Sequence, residues 1–374
     1  MSIMRGMKIL LINYMETTAP GGINKIVRET AKHFSKNGHE VQVLQPNPLG
    51  LLPKEVLDGF TITRLSTRIG KYAYGYSPDL MTEVSHFITA FKPDVVHVHG
   101  YHTLFTLGVI RKIRVTNATI PIIFSPHMDS TASTLGGNLI FLYHKLFGQT
   151  IFDTVDYVFA GSNFERENIC NNIKISKDKI AIIPLGVDSI VPKQYHKRND
   201  KIRLLFVGYL IRRKNVGAIF DVLDTVIHKY NVEDISLTII GNGPEKEKLI
   251  RYAGDLQIQN HIIWKKSLDK IQLEDEIKSS DYLLLLSSSE AFGIIVAETL
   301  ALGTPTIVTD TTALSEFASE PGCFAVPYPP DPNEIARQIL STEQLNIGPF
   351  SERIRIWSGV ADDYISIYVR HIRG

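Results

Sequence analysis

Asp281-Tyr282-Leu283-Leu284-Leu285-Leu286-Ser287-Ser288-Ser289-Glu290-Ala291-Phe292-Gly293-Ile294-Ile295-Val296-Ala297-Glu298 is the stretch that decides the fold. The run from Tyr282 to Leu286 is short and wholly apolar, as in a strand buried on both faces. Three serines then form a loop at its carboxyl end. Phe292 to Leu302 reads as a helix, stopped by Gly303 and Pro305. Glu290 projects from the loop and Glu298 from the second helical turn. An isolated pair of this kind is usually a solvated cap and a surface residue. At a strand's carboxyl end it sits where open α/β sheets collect ligands. Backbone N–H groups near Gly293 and Ile294 lack helical acceptors and attract anions. Acceptors for hydroxyls beside donors for phosphate suit a nucleotide sugar.

The same rhythm extends in both directions. Upstream, short β-branched runs at 8–13, 40–45, 94–98, 120–125, 157–161 and 180–183 alternate with helical patterns. Ile26, Val27, Thr30, Ala31 and Phe34 share one face of a helix predicted over Ile23–Asn37, which Gly38 ends. A second series begins at Ile202 and continues through 237–240, 261–264, 282–286, 306–308 and 323–326. The polar stretch Val191–Lys201 reads as a linker, and Pro46–Gly75 as an irregular loop region. Trp357–Arg370 reads as a terminal amphipathic helix.

A chain of 374 residues suits two domains. With 44% hydrophobic and 21% charged residues it has the composition of a soluble globular protein, and a net charge of +1 argues against bulk nucleic-acid binding. The first 190 residues carry 19 Lys/Arg against 15 Asp/Glu, and the rest 21 against 24. That mild amino-terminal excess suits either an anionic membrane or acceptor, or simple solvation. Cys170 and Cys323 lack metal or disulfide spacing and fit a reducing cytosol. The apolar run after Met7 is too short for a signal or a membrane span, so a cytoplasmic location is expected.

Other loops carry weaker signals. Pro20-Gly21-Gly22-Ile23 opens the first helix and allows close backbone approach to a phosphate, but lacks GxGxxG spacing. Gly208-Tyr209-Leu210-Ile211-Arg212-Arg213-Lys214 leaves the first strand of the second series; its bases are either solvated or neutralise a diphosphate. Gly241-Asn242-Gly243-Pro244 is good turn chemistry in any protein. His97, His99 and His102 invite a metal, yet no carboxylate completes the spacing, and structural roles are preferred. His127, just past a strand end, is the best histidine candidate. Ser162 could simply cap a helix.

In this order and spacing, the Gly21-Gly22 loop, the Gly208–Lys214 loop, Gly241–Pro244, and Glu290-Ala291-Phe292-Gly293 through Glu298, with Ala301, Gly303 and Pro305, resemble the retaining glycosyltransferases of family 4. The resemblance covers nearly the whole chain. It implies the GT-B fold: α/β, two Rossmann-like domains facing across a crevice, and a C-terminal helix returning to the first. The expected domains are 1–192 on the acceptor side, 193–356 for the nucleotide sugar, and the helix 357–374. The resemblance also assigns roles. Glu290 would bind donor-sugar hydroxyls and Glu298 the ribose. Arg213 and Lys214 would hold the diphosphate, helped by backbone at Gly22, Phe292, Gly293 and Ile294. His127 would approach the sugar and the reaction centre. The chain has no DxD motif, which agrees with the metal-independent, cofactor-free chemistry of such enzymes.

Two departures stand out. Tyr209 occupies a position where the family often has Arg, and Lys265-Lys266 replace a common glycine near the base-binding loop. The expected partners are a UDP- or GDP-sugar and a glycan or lipid-linked acceptor, with peripheral contact at the inner membrane face and no nucleic acid. The rival readings are a nucleotide-sugar epimerase or hydrolase on the same fold, and a non-catalytic nucleotide-sugar-binding protein.

Overall fold

The structure is a computed structural model that describes residues 6–66, 77–101, 103–129, 147–191, 193–196, 201–341 and 344–373. It divides into two compact units. The first comprises 1–128, 134–185 and 357–374; the second comprises 129–133 and 186–356. His102 lies outside the described residues.

The first unit is built on an eight-stranded sheet in the order β3-β4-β2-β1-β5-β6-β7-β8. Its strands are β1 (Lys8–Ile12), β2 (Glu40–Asn47), β3 (Lys54–Leu57), β4 (Phe60–Ser66), β5 (Val95–His99), β6 (Ile122–Ser125), β7 (Tyr157–Ala160) and β8 (Ile180–Ile182). All neighbours pair in parallel except β3 with β4. Helix α1 (Gly22–Lys36) follows β1, α2 (Pro78–Phe91) precedes β5, α3 (Leu104–Thr116) follows it, and α4 (Asn163–Asn172) follows β7. Leu10, Ile12, Val96, Val98, Ile122 and Phe124 are fully buried, as strands covered on both faces require.

The expectation of an irregular loop over Pro46–Gly75 is corrected here, because β3 and β4 lie within it. Arg64 makes β4 look like surface. Its guanidinium is instead buried and ion-paired with Glu16 at 2.8 Å and Glu55 at 2.6 Å.

The second unit holds a six-stranded sheet, β13-β12-β11-β14-β15-β16, with every neighbour parallel. Before it come β9 (Gly186–Val187) and β10 (Lys193–His196). The strands of the sheet are β11 (Ile202–Val207), β12 (Ile235–Ile240), β13 (Ile262–Lys265), β14 (Tyr282–Leu285), β15 (Thr306–Thr309) and β16 (Cys323–Val326). Helices α5 (Val216–Asp224), α6 (Lys246–Asp255), α7 (Lys270–Ser279) and α8 (Ile294–Ala301) follow β11, β12, β13 and β14, and α9 (Pro332–Ser341) follows β16. Numbered within this sheet, the order is 3-2-1-4-5-6. The strand order therefore reverses between β11 and β14, and ligands of doubly wound sheets bind beyond the carboxyl ends at such a point. The stretch read as a plain linker, Val191–Lys201, contains β10, which pairs antiparallel with β17 (Gln344–Ile347). The short β18 (Arg355–Ile356) pairs with β9.

The last helix, α10 (Trp357–Arg373), groups with the first unit. Trp357, Val360, Ala361, Tyr364 and Tyr368 are buried along one stripe. Tyr368 meets Phe34 of α1 edge-on at 5.7 Å, and Tyr364 lies 4.7 Å from Phe159 of β7. Among the described residues no helix is long and apolar enough to cross a membrane.

Candidate functional site

Two loops flank the point where the strand order of the second unit reverses, and both carry predicted residues. The loop after β11 ends in one tight turn, Arg212–Lys214, closed by Asn215 in the left-handed region at φ 51°. The loop after β14 carries Ser287–Gly293. The two loops are stitched together: Ser288 N–H donates to Arg213 O at 2.8 Å, and Arg213 Nη1 donates to Ser289 O at 3.0 Å.

Glu290 is the centre of this arrangement. Its Oε1 accepts from Lys214 Nζ and, at 2.8 Å, from Ser287 Oγ, while Oε2 lies 3.7 Å from Arg213 Nη1. Arg213 also meets Asp129, which clusters with this unit, at 2.9 Å. Burial pushes the Glu290 carboxyl up. The Lys214 and Arg213 charges and the hydrogen bonds from Lys214 and Ser287 outweigh it, holding the group below the ordinary carboxylate range. Glu290 is therefore an anion at neutral pH, with two cations held beside it. Arg213 and Lys214 keep 22% and 13% of their side chains exposed.

Downstream, Gly293 caps α8 at φ 92°, a left-handed conformation that favours glycine, and a Cβ there would press on Leu314 Cδ2 at 2.8 Å. The helix thus begins at Ile294 and not at Phe292 as predicted, leaving Phe292 and Gly293 in the loop. Glu298 falls on the second turn of α8, half-buried. Tyr209 is 60% exposed. The Gly241–Gly243 turn buttresses the basic loop. A Cβ on Gly241 would meet Gly208 O at 1.9 Å and one on Gly243 would meet Leu210 O at 2.3 Å, while Leu210 N–H donates to Asn242 O at 2.8 Å.

Thr312 escaped the sequence reading. Its Oγ1 accepts from Glu290 N–H at 3.0 Å, and it holds φ 52°, an outlying conformation for a β-branched residue. Such strain persists only where surrounding contacts enforce it and concentrates at working sites. Only its place after the β15 run could have signalled it.

In the first unit the strand order reverses between β1 and β5, and Gly22 and His127 lie on loops of that sheet. Gly22 opens α1, and a Cβ there would meet nothing within 4 Å, so the fold itself does not demand glycine. The preceding loop rests on a buried polar cluster: Thr17 Oγ1 donates to Gln45 Oε1 at 2.6 Å, and Gln45 Nε2 to Glu16 Oε2 at 2.6 Å. His127 has φ 52°, and its Nε2 lies 3.2 Å from Nδ1 of His99 on β5. His97 bridges Tyr368 Oη and Ser125 Oγ, the structural role expected of it. Ser162 caps α4, and Glu165 three residues on accepts from Gly161 N–H at 2.7 Å and Met128 N–H at 2.8 Å. Among the described residues no group of three or more His, Cys, Asp or Glu is arranged to hold a metal ion.

The structure brings Arg213, Lys214 and Glu290 into one cluster, with Phe292, Gly293, Ile294 and Glu298 continuing the same segment. Gly22 and His127 belong to the other unit.

Comparison with known proteins agrees with this architecture. Residues 20–189 match the family model described as Glycosyltransferase Family 4, and residues 188–355 the model described as Glycosyl transferases group 1. The chain is 24% identical over 385 residues to the phosphatidyl-myo-inositol mannosyltransferase of Mycobacterium tuberculosis, covering 97% of this chain and 96% of that protein. It is 26% identical over 316 residues to a GDP-mannose-dependent alpha-(1-6)-phosphatidylinositol dimannoside mannosyltransferase of the same species, covering 79% and 78%. The solved sucrose-phosphate synthase of Thermosynechococcus elongatus superposes with a TM-score of 0.75 at 17% identity, over 97% of this chain and 98% of that one. The chain belongs to the group 1, family 4 glycosyltransferases, enzymes with the GT-B fold of two Rossmann-like domains.

Proposed function

We propose that the protein transfers a hexosyl unit from a UDP- or GDP-sugar to a hydroxyl of a glycan or lipid-linked acceptor, retaining the anomeric configuration and using no divalent metal. The observation that carries this is the Arg213–Lys214–Glu290 cluster where the strand order reverses, directly before the helix that Gly293 caps. A diphosphate there would take its counter-charge from Arg213, Lys214 and the amides at Phe292, Gly293 and Ile294, the work a bound cation does elsewhere. Glu298 is assigned to the ribose, Glu290 to the sugar hydroxyls, and Gly22 and His127 to the phosphate and sugar ends of the donor. Residues 1–192 are assigned to the acceptor, 193–356 to the nucleotide sugar and 357–374 to the returning helix.

In the favoured mechanism the acceptor oxygen bonds to the anomeric carbon on the face the phosphate leaves. The carbon–oxygen bond to the β-phosphate breaks, and the acceptor's proton passes to a departing phosphate oxygen. The two mannosyltransferase relatives, whose names specify phosphatidylinositol-based acceptors, favour a lipid-linked acceptor. A cytoplasmic enzyme with peripheral contact at the inner membrane face fits that acceptor and the mild basic excess of the first 190 residues.

Incubating the protein with UDP- and GDP-hexoses, phosphatidylinositol or oligosaccharide acceptors, and excess chelator tests the proposal. A glycosylated acceptor with the donor's anomeric configuration is expected. Transfer that appears only on adding magnesium or manganese would overturn the metal-free part. Free sugar or an epimer released without acceptor would overturn the transfer.

A further inference from the structure

Thr312 stands where glycine would be the easier choice. Its φ of 52° is a left-handed conformation that glycine adopts freely, whereas a β-branched side chain is crowded there by its own backbone. A side chain kept at such a position is kept for what it does. Here the hydroxyl oxygen accepts from Glu290 N–H at 3.0 Å. Glu290 is buried and lies between β14 and α8, outside both, so neither ladder nor helix supplies that amide with an acceptor. A buried N–H must find one, and Thr312 provides it.

The segment after β15 grips the whole loop. Thr309 Oγ1 donates to Ser287 O at 2.5 Å, and Ala313 N–H donates to Glu290 O at 3.3 Å. Leu314 Cδ2 stands 2.8 Å from where a Cβ on Gly293 would lie. Ala313 and Leu314 are themselves fully buried, and Ser315 Oγ donates to Thr312 O at 2.7 Å, tying down the turn that carries the strain. Two of these contacts fall on Glu290. Its N–H and its carbonyl belong to the two peptide units that flank its Cα, so holding both sets the direction of the Cα–Cβ bond. The carboxylate at the end of that bond is the one that Lys214, Arg213 and Ser287 surround.

We propose that Thr312 is a positioning residue: its hydroxyl fixes the Glu290 backbone, and through it the direction in which the carboxylate faces the donor sugar. The catalytic consequence rests on the assignment of Glu290 to that sugar; the hydrogen bond does not.

Amide hydrogen exchange and steady-state kinetics on the full chain test this, with whichever of UDP- or GDP-hexose supports transfer. Thr312→Gly relieves the backbone and removes the hydroxyl, Thr312→Ala removes the hydroxyl alone, and Thr312→Ser keeps it. The Glu290 amide should exchange faster in the glycine and alanine variants and as in wild type in the serine variant. In the same two variants kcat should fall roughly 10–100-fold, the scale of a misplaced catalytic group. UDP and GDP should bind nearly as before, because Arg213 and Lys214 are untouched. Thr312→Ser should keep most of kcat. Glycine suits this backbone, so lost activity in Thr312→Gly with a native far-UV spectrum is not a failure to fold. If the position asks only for a left-handed backbone, Thr312→Gly will match wild type in exchange and in kcat, and the proposal falls. Faster exchange with wild-type kcat in that variant also overturns it, as does a Thr312→Ser enzyme as slow as Thr312→Ala. A wild type that transfers no sugar from any donor would count against the proposed function, and the exchange rates would still decide the hydrogen bond.

Discussion

Glu290 combines two demands: it anchors Lys214 and Arg213, and it is the carboxylate assigned to the donor sugar. Glu290→Gln keeps the shape and removes the charge. It is expected to lower turnover by about two to three orders of magnitude, the scale of losing a positioned transition-state contact. Nucleotide diphosphate binding should be kept or tightened, because two cations lose their internal anion. Steady-state kinetics and calorimetry on the same folded variant read both, and wild-type turnover would remove Glu290 from the chemistry. Arg213, Lys214 and Glu290 were legible in the sequence because each stands on a loop that leaves an obvious buried strand. Thr312, His99 and Glu165 were not. Their decisive contacts join positions 22, 28 and 37 apart in the chain, and a run such as Thr311-Thr312 carries no pattern that announces them.

At the scale of elements, sequence reading found the strands that carry short apolar runs; most are buried on both faces, while β8, β13 and β16 keep partly exposed residues. It missed β4 because Arg64 breaks the apolar pattern, and only the fold shows Glu16 neutralising it. That pair has a consequence in acid. Burial pushes the Glu16 carboxyl up, but Arg64 and Thr18 together hold it below its ordinary 4.5. A depressed carboxyl stabilises the fold fully above its ordinary range, and the stabilisation is lost as pH falls through the folded value. Stability to denaturant should therefore be flat from neutral pH down to about 5 and decline below 4.5, with Glu290 adding in the same direction. Glu16→Gln should cost about 2 kcal/mol at neutral pH, because the buried guanidinium then keeps only Glu55 as its counter-charge, and should flatten the acid decline. An unchanged decline would place the acid sensitivity elsewhere.

Gly243 makes a second case at this scale. Gly243→Ala drives a Cβ onto Leu210 O, so the basic loop must shift. Donor KM should rise about tenfold or more, while the far-UV spectrum stays native. An unaltered KM would show that the turn does not set the position of Arg213 and Lys214.

At the scale of the whole molecule, each unit carries its own largely parallel sheet, and loops after its strands hold the residues that the sequence singles out. The family was legible because its marks fall at strand ends along nearly the entire chain. The acceptor was not, since no motif in the sequence points to one. The central claim is that the second unit's reversal point binds a nucleotide through its diphosphate. The most direct test is calorimetry on the full chain with UDP and GDP, beside uridine and guanosine, for wild type and for Arg213→Ala/Lys214→Ala. Each charge-assisted hydrogen bond is worth about 1.5–3 kcal/mol. The double variant should therefore bind the diphosphates at least a hundredfold more weakly and the nucleosides nearly as before. Equal weakening of diphosphate and nucleoside would mean that the two residues support the fold or the base pocket, and would contradict the claim.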